Sequence, residues 1–315
     1  VISIPVVVHN DHFKWQLDLF WTQHKKVYED AAEWRALALV IERNLPDEKP
    51  VPTLQWDIDV PHYMCKPFFE CFDLGLPFEG VQVPLNIQAA LHQSIALFDP
   101  DDVLEILDGD MLHMRESPTM DIGDNELYVD DVYEAWHLHS LGENRDVIAR
   151  YFQNGGRFYN GGFVPIIGKA STIARILPEW IAVHVDILRL PHDPKLKWWA
   201  GMFALQAACE KAKVRMIAKD FCYIPGVNTL QPSHYIAHYS VDKKFDKRAY
   251  PNVDTASFDD NPFYTAVREW LDQPKRVWHD LTEEEIEEEA LFFDEYDGFV
   301  EGAKWAATKL KEKNI

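Results

Sequence analysis

No run of about 18 apolar residues occurs in the 315-residue chain, so its sequence offers no membrane-spanning helix. The apolar opening VISIPVVV is too short for a span and carries no basic leader; it reads as a β-strand. Asn-X-Ser/Thr acceptors are also missing, which removes one marker of a eukaryotic secretory route. The four cysteines, Cys65, Cys71, Cys209 and Cys222, lack zinc-type pairing and do not force a disulfide framework. They are expected as buried free thiols, with a Cys65–Cys71 bridge as the lesser alternative. Basic residues are scarce: 31 Lys and Arg against 52 Asp and Glu leave a net charge of −21. That balance argues against broad contact with a nucleic-acid backbone, yet leaves room for a basic pocket around a small phosphorylated ligand.

What remains is an ordinary globular composition, 47% hydrophobic and 26% charged, long enough to bury a large core. Strand-like and helix-like segments alternate. Val1 to Val8 reads as a strand, HFKWQLDLFWTQHKKVY as a helix, LALVIERN as a second strand and Pro84 to Leu97 as a helix. VLEILD is a third strand; GGFVPIIGK, STIARILPEWIAVHVDIL, KWWAGMFALQAACEKAK and VRMIAKDFCYI follow as strand, helix, helix and strand. Gly123 to Asn160 is polar, aromatic and glycine-punctuated, and reads as long loops over a site. NPFYTAVREWLDQ is amphipathic, and Thr282 with Glu285 forms a capping box ahead of an acidic helix. The expectation is an α/β domain over residues 1–250, with a C-terminal helical extension, 251–315, packed on it.

The stretch EILDGDMLH sets Asp108 and Asp110 at the end of an apolar strand. Along an extended chain residues i and i+2 point the same way, so the two carboxylates can share one cation, with Gly109 admitting a ligand close to the backbone. Oxygen donors of this kind suit Mg2+ or Mn2+, which also bind substrate phosphates. The alternative is a surface turn, because Asp-Gly-Asp is common in turns. No EF-hand ladder follows, and a two-carboxylate glycosidase would set its groups across the substrate from each other.

Further segments, in order, give the chain a family likeness. They are Trp15-Gln16 in HFKWQ, the Asp-Gly-Asp strand, the helix GMFALQAAC, Lys219-Asp220-Phe221, His238-Tyr239 and Phe245-Asp246-Lys247-Arg248. Over roughly residues 2–250 the chain resembles the hydroxyproline O-arabinosyltransferase and peptidyl-serine α-galactosyltransferase group of GT-A glycosyltransferases. Two departures stand out: Gly201 occupies a place where the family helix often has an acidic residue, and the segment after His238-Tyr239 is short. The resemblance implies a GT-A-like nucleotide-sugar-binding fold and a retaining transferase using a UDP-sugar of arabinose or galactose type with Mn2+ or Mg2+. It also implies His238 as a third metal ligand, and Lys244, with Lys243 and Lys247 as competitors, as the group gripping the diphosphate. Without the likeness, His238 reads as a satisfied core histidine.

Asn160-Gly161-Gly162 stands before a strand like the segment lining the sugar pocket of related transferases, or is a plain glycine turn. His9 and Asn10 end the first strand, where such a fold binds uracil and ribose. Asp220 follows a strand and either faces sugar or acceptor or caps the next turn. Asp220, Asn160 and Lys244 are the candidate catalytic residues; Trp136, His137 and His139 are candidates for a sugar-binding wall. The expected acceptor is a hydroxyl on a protein side chain or glycan, with hydroxymethylated bases of viral DNA as runner-up and a non-catalytic sugar-binding scaffold as the remaining alternative. The compartment stays open between the cytoplasm of a bacterial or virus-infected cell and the Golgi lumen, and oligomeric state is not legible.

Overall fold

The apolar opening and the VLEILD run form neighbouring parallel strands, β1 (Ile4–Asn10) and β4 (Val103–Asp108), inside a seven-stranded sheet. Val103 to Leu107 are all buried. A strand covered on both faces has no solvent side to serve, so its sequence is a continuous apolar run rather than an alternation. In this computed structural model the described residues are 3–10, 14–29, 36–41, 61–66, 71–72, 86–130, 145–152, 164–190, 194–239, 242, 244–245, 253 and 255–273.

The remaining strands of the large sheet are β2 (Leu37–Ile41), β3 (His62–Cys65), β6 (Glu126–Asp130), β7 (Ile166–Lys169) and β8 (Arg215–Lys219). Their order is β3-β2-β1-β4-β7-β6-β8. β7 alone runs against its neighbours; the other pairings are parallel. A second sheet, order β5-β10-β9, consists of three short strands: β5 (Met111–His113), β9 (Cys222–Tyr223) and β10 (Ile236–His238). The helices are α1 (Lys14–Val27), α2 (Asn86–Ser94), α3 (Arg145–Ala149), α4 (Ala170–Arg189), α5 (Pro194–Lys211) and α6 (Pro262–Leu271). Among the described residues no helix is long and apolar enough to cross a membrane.

Gly201 sits where α5 meets buried neighbours. A Cβ there would lie 3.1 Å from His184 Cε1 and 3.7 Å from Gln88 Nε2, and Trp180 donates its indole N–H to the Gly201 carbonyl at 2.9 Å. A side chain at this position would thus press on the His184 ring of α4, while Gln88 of α2 stays at ordinary contact distance.

Two differences from the sequence reading have local causes. Within the supposed loops of 123–160, ELYVD forms β6 between β7 and β8, where its buried Leu127 and Val129 supply the alternation of a strand. VRMIAKDFCYI is not one strand: the ladder breaks at Asp220-Phe221, and β8 and β9 enter different sheets. The cysteines are thiols, as expected, and form no Cys65–Cys71 bridge; Cys65, Cys209 and Cys222 are buried and Cys71 is half-buried.

The chain divides into two compact units, 1–223 with 230–238, and 224–229 with 239–315. In the second, Tyr239, Phe245, Phe258, Phe263 and Tyr264 form a ring cluster with centroids 4.6–6.3 Å apart. Asn261 caps α6 by accepting the Tyr264 N–H at 3.1 Å, and Pro262 opens the helix where no N–H is needed. The expected acidic helix beyond Thr282 lies outside the described residues.

Candidate metal centre and nucleotide site

Chain order explains where a ligand belongs. From β1 the chain moves outward to β2 and β3, then returns to β4 on the other side of β1. A crevice opens at such a reversal, outside the carboxyl ends of the strands, and ligands of open α/β sheets bind there. β1 and β4 end side by side: Val8 pairs with Asp108, and His9 and Asn10 continue β1 beyond that pair, alongside Val40 and Ile41 of β2. The side chains of His9 and Asn10 are outside the described set.

Asp108 is the last residue of β4, and Gly109-Asp110 forms a tight turn into β5. The two carboxylates are thus brought together by a turn between strands of different sheets, not by continued extension of one strand as the i, i+2 argument assumed. The Gly109 N–H donates to Asp108 Oδ1 at 2.8 Å, which fixes that carboxylate over the turn. β10 pairs antiparallel with β5, matching His238 to Met111 and so delivering the imidazole next to Asp110. His238 Nε2 lies 3.2 Å from Asp110 Oδ1, with both side chains about nine-tenths buried.

Asp108, Asp110 and His238 each offer a ligand atom, and these atoms lie within 4.8 Å of one another. An ion bonded at about 2.1 Å to each ligand holds them within about 4.2 Å, so the triad closes on one by moving roughly half an ångström. Two carboxylates with one imidazole fit Mn2+ or Mg2+; the absence of thiolate argues against a structural zinc site.

Asp220 is at the same edge of the large sheet but not in the triad. β9 and β10 pair Cys222 with Ile236, so Asp220 falls level with His234 and four residues short of His238's level, roughly 13 Å along the strands. His234 Nδ1 accepts the Gln231 N–H at 3.0 Å, which leaves its proton on Nε2 to donate to Asp220 Oδ1 at 2.7 Å. Buried Asp130, at the end of β6, accepts the N–H groups of Phe221 and Cys222 at 3.0 and 3.1 Å and pins the chain just after Asp220. Lys244 belongs to the second unit, where it pairs with Asp259 at 2.7 Å. Asn160, Gly161, Gly162, Lys243, Lys247, Arg248, Trp136, His137 and His139 lie outside the described residues.

Glu105, His113 and Tyr235 were not singled out from sequence. Glu105 is fully buried in the middle of β4 and accepts hydrogen bonds from His113 Nε2 at 3.1 Å, Ser117 Oγ at 2.9 Å, Ser3 Oγ at 3.3 Å and Tyr235 Oη at 2.6 Å. Burial pushes its carboxyl up, but the charge of His113 and the bonds from His113, Tyr235 and Ser117 together hold it below the ordinary value. A carboxylate interrupting an apolar strand is the signal that could have flagged it, since such a group is kept charged only by partners.

No protein-family profile and no curated protein matches the sequence. Solved structures do. The bifunctional glycosyltransferase WbbM matches with a TM-score of 0.50 and 13% identity, over 86% of this chain and 50% of that one. The galactosyltransferase LgtC, bound to donor and acceptor sugar analogues, matches with a TM-score of 0.50 and 15% identity, over 88% and 98%. An active-site mutant of LgtC gives a TM-score of 0.51 and 15% identity, over 87% and 99%. The chain thus spans half of WbbM and nearly all of LgtC. At these identities the likeness establishes the fold, which is GT-A.

Proposed function

We propose that the protein is a metal-dependent glycosyltransferase that moves a sugar from a UDP-sugar to a hydroxyl on a protein side chain or glycan, with retention of anomeric configuration. The observation that carries this is the convergence of Asp108, Asp110 and His238 at the topological reversal of a GT-A sheet. Mn2+ or Mg2+ held there would neutralise the diphosphate as negative charge grows on the leaving oxygen. Asp108, Asp110 and His238 would supply its protein ligands; His9 and Asn10, at the end of β1, are assigned to uracil and ribose. The sequence resemblance assigns Asn160, Gly161 and Gly162 to the sugar and Lys243 and Lys244 to the phosphates. Asp220, oriented by His234, offers a fixed and partly exposed carboxylate at the same sheet edge but outside the triad, suited to a sugar or acceptor hydroxyl. The catalytic domain covers residues 1–250 and the helical extension 251–315. Sequence resemblance favours arabinose or galactose as the transferred sugar.

Calorimetry with UDP and Mn2+ tests the core of the reading. Wild-type protein should bind UDP in a metal-dependent way, and Asp110→Ala should lose at least about tenfold in affinity while remaining folded. Binding that survives both EDTA and Asp110→Ala would remove the assignment. Hydrolysis of a panel of UDP-sugars then identifies the donor, and NMR of the product anomer checks retention.

A further inference from the structure

The three proposed metal ligands lie at the end of β4, in the turn into β5 and on β10, and β5 and β10 are only three residues long. So few ladder bonds specify register weakly on their own. Each ligand, however, stands three residues from a member of one buried cluster: Asp108 from Glu105, Asp110 from His113, and His238 from Tyr235. Glu105 belongs to the large sheet, while His113 lies in the small sheet and Tyr235 immediately precedes β10. The Glu105 carboxylate is thus a knot between the sheets, roughly 10 Å along each strand from the triad.

The knot is secured on every side. Ser3, just ahead of β1, donates to Glu105, and Ser117 donates to it from beyond β5. Tyr28, just past the end of α1, donates to Ser117 Oγ at 2.9 Å and accepts the Ser117 N–H at 2.8 Å. His24 of α1 places its Nδ1 3.4 Å from His113 Nδ1. Sliding β5 or β10 by one residue would leave the fully buried Glu105 without His113 or Tyr235, and an uncompensated buried charge is strongly destabilising.

We propose that Glu105, His113 and Tyr235 are positioning residues for the metal centre, setting the relative placement of Asp108, Asp110 and His238 through three short strand segments. The inference rests on the metal reading of that triad. Mn2+ alone is the probe, titrated into the full chain and followed by the electron paramagnetic resonance of the free ion, with far-UV circular dichroism and thermal melting alongside. Glu105→Gln should raise the Mn2+ dissociation constant about tenfold, the low end for residues outside the ligand set. Tyr235→Phe, which deletes one hydroxyl, should raise it at least about threefold in a folded protein. Ile173→Val, a core change in α4, should lower the melting temperature and leave Mn2+ affinity at the wild-type value, which separates positioning from general stability.

Folded Glu105→Gln and Tyr235→Phe proteins that bind Mn2+ within twofold of wild type would overturn the proposal. If Glu105→Gln fails to fold, Tyr235→Phe decides alone. A wild-type chain that binds no Mn2+ is a different result: it removes the metal centre itself and the positioning role with it.

Discussion

Gly201 shows how tightly the helices pack around it. At position 201 a side chain would press on His184, which is wholly buried and held by Gln88 at 2.7 Å. A Cβ at 3.1 Å from Cε1 requires the His184 ring to give by a few tenths of an ångström. Gly201→Ala gains about 1 kcal/mol of helix propensity but meets an overpacking cost of about 1–3 kcal/mol. The expected net loss is about 1 kcal/mol in urea unfolding; a variant more stable than wild type would contradict the packing account. The Asp-Gly-Asp pair was legible from sequence because both partners sit two residues apart. Glu105 was not, because its donors arrive from positions as remote as Ser3 and Tyr235.

Helices and long strands were legible where periodicity ran over many residues: β1, β4, α4 and α5 stand close to where the pattern placed them. β3, β5, β9 and β10 have two to four residues each, too few for a period, and form because long-range neighbours offer them an edge. Contacts between elements also bury His24 and His184. Burial, and next the charge of His113, lowers the pKa of His24 on α1 to about 3, and burial lowers that of His184 on α4 to about 3. Both folded values lie below the unfolded value near 6.5, so the unfolded chain takes up protons first as the solution is acidified. Their contribution to stability is therefore complete above about pH 6.5 and is lost as pH falls toward 3, by up to about 1.4 kcal/mol per pH unit for each. Urea midpoints should be flat from pH 8 to 7 and drop between pH 6.5 and 5. His184→Gln, having no proton to gain there, should flatten that drop; an unchanged slope would contradict the assignment.

Across the whole molecule, chain order alone anticipated an α/β architecture, and the structural likeness to WbbM and LgtC establishes GT-A. The second sheet was invisible because it joins residues 111–113 to 222–223 and 236–238. A cation at the triad would fasten that connection. Mn2+ at about 100 times its dissociation constant should stabilise the first unit by about 2.7 kcal/mol, read as a higher melting transition. His238→Ala should abolish the gain, and a gain that persists would place the ion elsewhere.

The order in which the strands join has a consequence for the chain as it is made. Asp108 and Asp110 leave the ribosome about 130 residues before His238, and β10 can enter between β5 and β9 only after both are present. At ordinary translation speeds that interval is roughly 6–25 s. During it the nascent chain holds the two carboxylates without His238, so the centre is completed only as synthesis of the first unit ends. A chain released early would carry the acidic pair without the histidine that finishes the set.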